Sequence, residues 1–153
     1  MTGVGIIEVN GDRVTPVYYD AIKAGSGEFT ERLGIIFSEL RQLIKEHRPD
    51  QAAIETVFVA HNAASAIKLG QARGAAVCAA ISCDVPVSEY SPRSIKQAIV
   101  GRGGADKTQV QHMVGLLLGI KDPIQSDAAD ALAVALCHQH TSHTLARMAM
   151  MQG

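Results

Sequence analysis

The sequence predicts an α/β domain with a mixed β-sheet flanked by helices, and three observations predict it. A hairpin signal opens the chain, two further short apolar runs follow, and segments of helical periodicity separate and succeed those runs. The composition agrees: 47% of the 153 residues are apolar and 19% charged, enough to bury a core and too little charge for a disordered chain. Residues 1–140 are expected to form one domain, and residues 141–153, "TSHTLARMAMMQG", a weakly ordered tail.

Each element has its own local reason. In "TGVGIIEVNGDRVTPVYYDAIKA" the side chains of Val4, Ile6 and Glu8 alternate with Gly5, Ile7 and Val9. Asn10-Gly11 then supplies a two-residue turn of the type I′ kind. Pro16 lacks a ladder donor and assigns the second strand to a sheet edge. From Glu28 to His47, Leu33, Ile36, Phe37, Leu40 and Ile44 fall at helical spacing, and Pro49-Asp50 closes the segment. "QAAIETVF" reads as a short buried strand. "NAASAIKLGQARGAAVCAAISCD" is Ala-rich and helical, with Asn62 at its N-cap. "VPVSEY" is a further strand, and Ser91-Pro92 starts the helix "SPRSIKQAIV" in cap-then-proline order. "GRGGADK" is a glycine-rich loop before a helix from Ala105 to Leu118, and the last helix starts near Ser126.

Several function classes are set aside on composition. Cys78, Cys83 and Cys137 are an odd number in apolar segments, which fits buried free thiols of a reducing cytosol better than a disulfide framework. No basic-then-apolar leader and no uncharged run of about 18 residues is present, so neither a secretory signal nor a membrane span is expected. The net charge is −1, but residues 59–107 hold six Lys/Arg against three Asp/Glu, while residues 1–58 hold six against nine. A basic middle on an acidic scaffold permits a phosphate-facing surface. Cys137, His138, His140 and His143 suggest zinc, yet a complete ligand set is not evident, and a buried thiol beside a frayed helix end accounts for them. "GRGGAD" lacks the Gly-Lys-Ser/Thr ending of a phosphate loop, and no Gly-x-Ser-x-Gly is present for acyl chemistry.

Three carboxylates carry chemistry. Asp127 and Asp130, in "SDAADALAVALCHQH", are spaced i, i+3 and share one helix face. Taken alone, this stretch suits a helix start, where acids complement the macrodipole, better than a site that needs negative charge. Glu55 sits among apolar neighbours, which implies either a partly desolvated carboxylate or one turned out at the strand end. Three converging acids would make an oxygen-rich site of the kind Mg²⁺ prefers.

At this point the chain resembles a family. "AAIETVFVAHNAASAIKLGQARGAAVCAA", "VPVSEYSPRSIKQAIVGRGGADKTQVQHMV" and "SDAADALAVALCHQH" are together similar to the RuvC Holliday-junction resolvases, over Thr2 to about His140. The resemblance implies an RNase H-like fold, a five-stranded mixed sheet with helices on both faces, working as a homodimer. It implies an Mg²⁺-dependent endonuclease that nicks two opposed strands of four-way DNA junctions in recombination and repair, with two ions per active site and Mn²⁺ able to substitute. Glu55, Asp127 and Asp130 are then metal-binding catalytic acids. Phe58, otherwise an ordinary core aromatic, would stack on a base at the junction centre. Lys96 and Lys107 would face the cleaved backbone, with Arg73, Lys68 and Asn62 as further DNA contacts. The implied partners are junction DNA, a second copy of the chain and the RuvA–RuvB branch-migration complex, in the bacterial cytosol at the nucleoid, with no membrane partner. A related nuclease acting on RNA would share the acids but lack the "NAASAIKLGQARG" helix, and ranks last.

The resemblance also sets an expectation for the front of the chain. Family members begin with an apolar strand running into "GIDPGSRxTG", whereas this sequence starts "MTGVGII", so the central first strand and its metal-binding Asp are missing from it. The expectation is that Met1 is an internal codon of a longer product. The alternative is a shortened relative that binds junctions without cutting them.

Overall fold

A computed structural model describes residues 1–57 and 62–152. The element order is β1 (Thr2–Asn10), β2 (Arg13–Ile22), α1 (Phe29–His47), β3 (Ala52–Glu55), α2 (Ala63–Ser82), β4 (Val87–Tyr90), α3 (Pro92–Val100), α4 (Lys107–Leu118) and α5 (Ser126–Met151). Strands pair as two two-stranded ladders, β1 with β2 and β3 with β4. The chain is organised as two compact units, one of Met1–Thr2 with Ile22–Glu89, the other of Gly3–Ala21 with Tyr90 onward.

In the first unit α1 packs along α2. The core there is Ile22, Ala24, Ile36, Ala79, Ala80 and Val85. Helix α1 ends on Arg48, which adopts φ 49° and returns its N–H to the Ile44 carbonyl, and Pro49 prevents continuation. Helix α2 starts where expected, the Asn62 side chain accepting from Ser65 N–H at 3.2 Å. Cys78 was expected to be buried with the other cysteines, but it is exposed and Cys83 half-buried, leaving only Cys137 in a core. Cys78 precedes the buried Ala79 and Ala80, so the helical rotation of 100° per residue turns it outward.

In the second unit the β1–β2 hairpin belongs with α3, α4 and α5. Its turn is shifted from the expected position: both strands end around Gly11-Asp12, and only Gly11 has positive φ, at 64°. A type I′ turn needs positive φ at both central residues, so that type does not form here. Helix α5 buries Ala128, Ala129, Leu132, Ala133, Val134, Leu136 and Cys137 against α3 and α4, which contribute Ile95, Ile99, Val110, Val114 and Leu118. The many alanines let backbones approach closely, and glycines in β1 do the same. A methyl on Gly5 would sit 2.8 Å from Leu132 N and 2.9 Å from its Cγ and Cδ2.

The tail departs from expectation. Instead of fraying after His140, α5 runs on to Met151, with residues 143–151 all exposed. Leu, Ala, Arg and Met are strong helix formers, and the Thr144 hydroxyl donates to the His140 carbonyl at 3.0 Å, so propensity sustains the helix without packing. Helix α4 carries a capping box, Asp106 Oδ1 accepting from Gln109 N at 2.8 Å and Gln109 Oε1 from Asp106 N at 3.0 Å. Asp106→Ala should lower stability by about 1 kcal/mol, read as a reduced urea midpoint at unchanged slope.

Candidate active site

Asp127 lies in the first turn of α5 and Asp130 at the start of the second, both half-buried. Local propensity favours Ser126 or Asp127 as the cap, but the cap is Gln125, whose Oε1 accepts from Ala128 N at 2.9 Å. Ser126 is already helical, and its hydroxyl accepts from Gln111 Nε2 of α4 at 3.1 Å. Gln125 Nε2 donates in turn to Asp127 Oδ2 at 2.9 Å. Strand β1 presses on the same turn: a methyl at Gly3 would overlap the Asp127 carbonyl, so only glycine fits there.

Asp130 is paired with Lys107, the first residue of α4, at 3.1 Å from Nζ to Oδ2. Both aspartates lie on α5, and an ammonium group stands at Asp130. Lys107, expected to face phosphate, reaches a carboxylate here. Lys96 lies half-buried on α3.

Glu55, the last residue of β3, is exposed rather than desolvated. The strand is only four residues long, which leaves its final side chain at the rim instead of among the apolar neighbours the sequence lines up beside it. Arg73 donates from Nε to the Glu55 carbonyl at 3.3 Å and forms an ion pair with Glu89, so its guanidinium is engaged in holding the end of β3 to α2 and β4. Lys68 lies over the Phe29 ring with Nζ 5.7 Å from the centroid, and Asn62 is occupied as the α2 cap. Phe58 lies outside the described residues.

Among the described residues no group of three or more His, Cys, Asp and Glu side chains is arranged to hold a metal ion. What the second unit offers is a two-carboxylate face of hard oxygen donors that already attracts one cation, the Lys107 ammonium. That donor chemistry fits Mg²⁺ or Mn²⁺ better than a soft metal, with further oxygen ligands needed to complete the shell.

Contacts that escaped the sequence include the Gln125–Asp127 bond. Another joins Tyr90 to α5, its hydroxyl lying 2.7 Å from His138 Nδ1 with the rings edge-on at 5.7 Å. Burial lowers the His138 pKa from the ordinary 6.5. The unfolded chain then binds the proton more readily, so this histidine's contribution is present above pH 6.5 and lost as pH falls through the folded value. The urea midpoint should accordingly drop between pH 7.5 and pH 5, and by less in His138→Gln. Burial raises the Cys137 thiol pKa, partly offset by a hydrogen bond with Thr141.

Comparison with known proteins agrees with this architecture. The family model for "Crossover junction endodeoxyribonuclease RuvC" matches residues 1–138. A protein of that name from Xanthomonas oryzae pv. oryzae is 52% identical over 145 residues, covering 94% of this chain and 83% of the relative. One from Marinobacter nauticus is 51% identical over all 153 residues and 87% of its own length. The fold is similar to that of T. thermophilus RuvC solved in complex with a Holliday junction substrate, at TM-score 0.86 and 34% identity, covering 93% of this chain and 88% of that one. The RNase H-like α/β class expected from the sequence therefore holds, and the chain belongs to the RuvC family of crossover junction endodeoxyribonucleases.

Proposed function

We propose that this chain is a Holliday junction resolvase, a divalent-metal-dependent endonuclease that nicks two opposed strands of a four-way DNA junction. The observation that carries the reading is the likeness to a RuvC solved on a Holliday junction substrate, across nearly the whole of both chains. Asp127 and Asp130 would hold metal from α5, with Glu55 as the acid from β3. A divalent ion such as Mg²⁺, if held there, would supply an activated water and charge to stabilise the leaving oxygen of the phosphodiester. The chain's own residues do the rest. Lys107, now on Asp130, is the cation that turns toward phosphate when DNA arrives, and Lys96 adds charge from α3. Phe58 stacks at the junction centre, and Lys68, Arg73 and Asn62 touch the backbone more weakly, since each already has an internal role.

Two copies would act together, one per nicked strand. Exposed Ile67, Leu69 and Ile81 on α2 support such pairing. A DNA substrate sets the site of action in the cytosol at the nucleoid, alongside the RuvA–RuvB branch-migration complex. No described helix is long and apolar enough to cross a membrane.

A second reading, junction binding without cleavage, draws on the finding that the described residues bring no three metal-ligating side chains together. Incubating this 153-residue chain with a labelled synthetic junction and Mg²⁺ separates the two. Paired nicks across the junction are expected from the first reading. A stable complex with intact strands would favour the second, and no complex at all would remove both.

A further inference from the structure

We propose that Gln125 is the positioning residue for the Asp127 carboxylate, one side-chain amide serving both to start α5 and to aim an acid. The usual N-cap residues offer a short side-chain oxygen that is consumed by the cap. Glutamine has two ends. Here Oε1 takes the Ala128 N–H at 2.9 Å, while Nε2 donates to Asp127 Oδ2 at 2.9 Å. The bond commits Oδ2, so the other carboxylate oxygen is the one left to reach outward.

The surroundings lock both ends of this arrangement. Ser126, the residue that could compete for the cap, has its hydroxyl oxygen accepting from Gln111 Nε2 at 3.1 Å. The Asp127 backbone cannot retreat toward β1, because Gly3 already lies too close to its carbonyl to accept a methyl group. A carboxylate whose backbone is packed and whose side chain is hydrogen-bonded is preorganised, and such supporting bonds commonly contribute 10- to 100-fold to metal affinity. The inference rests on the reading of Asp127 as a metal ligand.

The test separates capping from positioning. Gln125→Ser keeps a strong N-cap oxygen but has no arm to reach Asp127, and Gln125→Ala removes both functions. Mn²⁺ affinity of the whole chain, measured by water-proton relaxation, is set beside the thermal midpoint of each variant and of Asp127→Asn. Gln125→Ser should bind Mn²⁺ about 10-fold more weakly at an unchanged midpoint, and Gln125→Ala should lose affinity and midpoint together. Wild-type affinity in Gln125→Ser, with binding lost in Asp127→Asn, overturns the role of Gln125 and leaves the metal-site reading standing. Weaker binding accompanied by a lower midpoint in Gln125→Ser would reduce the residue to a cap and also overturn the inference. A parent chain that binds no Mn²⁺, or Asp127→Asn that binds like the parent, overturns the ligand reading itself.

Discussion

Asp127→Asn is expected to slow cleavage of a four-way junction by at least about 100-fold, the scale on which losing one preorganised charge-stabilising group is felt. Binding of the junction should change little. The substitution keeps size and shape, so Gly3 still fits against the same backbone and Gln125 can still cap α5. What changes is charge at the oxygen that now accepts from Gln125 Nε2. The measurement is a single-turnover cleavage rate beside a gel-shift affinity for the same junction. Full cleavage activity in the variant would remove Asp127 from the site. Loss of binding in parallel with cleavage would instead point to damage at the start of α5.

The largest effect on stability should come from Leu132→Ala, at about 2–5 kcal/mol. Leu132 has no exposed surface and lies where α5 meets β1. Gly5 has no side chain opposite it, so nothing on that side can move in to fill the space. The same geometry makes Gly5→Ala costly, about 1–3 kcal/mol, because its methyl would press on Leu132 Cγ and Cδ2. Combining the two should cost less than the sum of the singles, since the truncated leucine makes room for the new methyl. The relief is partial, because Leu132 N also lies 2.8 Å from the added carbon and backbone cannot be trimmed. Urea titrations of the two single variants and the double variant give the coupling directly, and strict additivity would argue that the two residues do not share one packing contact.

Much of this was legible in the residues themselves where the cause is local. Asn62, and Ser91 ahead of Pro92, start their helices as short polar caps do, and the i, i+3 spacing alone puts Asp127 and Asp130 on one face. The failures are tertiary. Gln125 displaces better cap residues because α4 claims the Ser126 hydroxyl, a bond between side chains fifteen positions apart. The neighbours of Glu55 leave open whether its carboxylate is desolvated or turned out, and only the four-residue length of the strand puts that last side chain at the rim. The ion pair of Lys107 with Asp130 exists only because α4 lies against α5. The roles carried over from the family resemblance need DNA or metal to be expressed, and folding alone does not require them.

Helix α5 is continuous in hydrogen bonding yet has two different lives along its length. Up to Cys137 one face of it is buried, whereas from His143 onward every described residue faces solvent. Amide deuteration should therefore run as a gradient within one helix. Protons near Leu132 should wait for global opening, while those near Met148 exchange through local fraying. A fluorophore or affinity handle attached along 143–151 would sit on a rod whose root lies at the aspartates, so it could report on α5 without occupying its buried face.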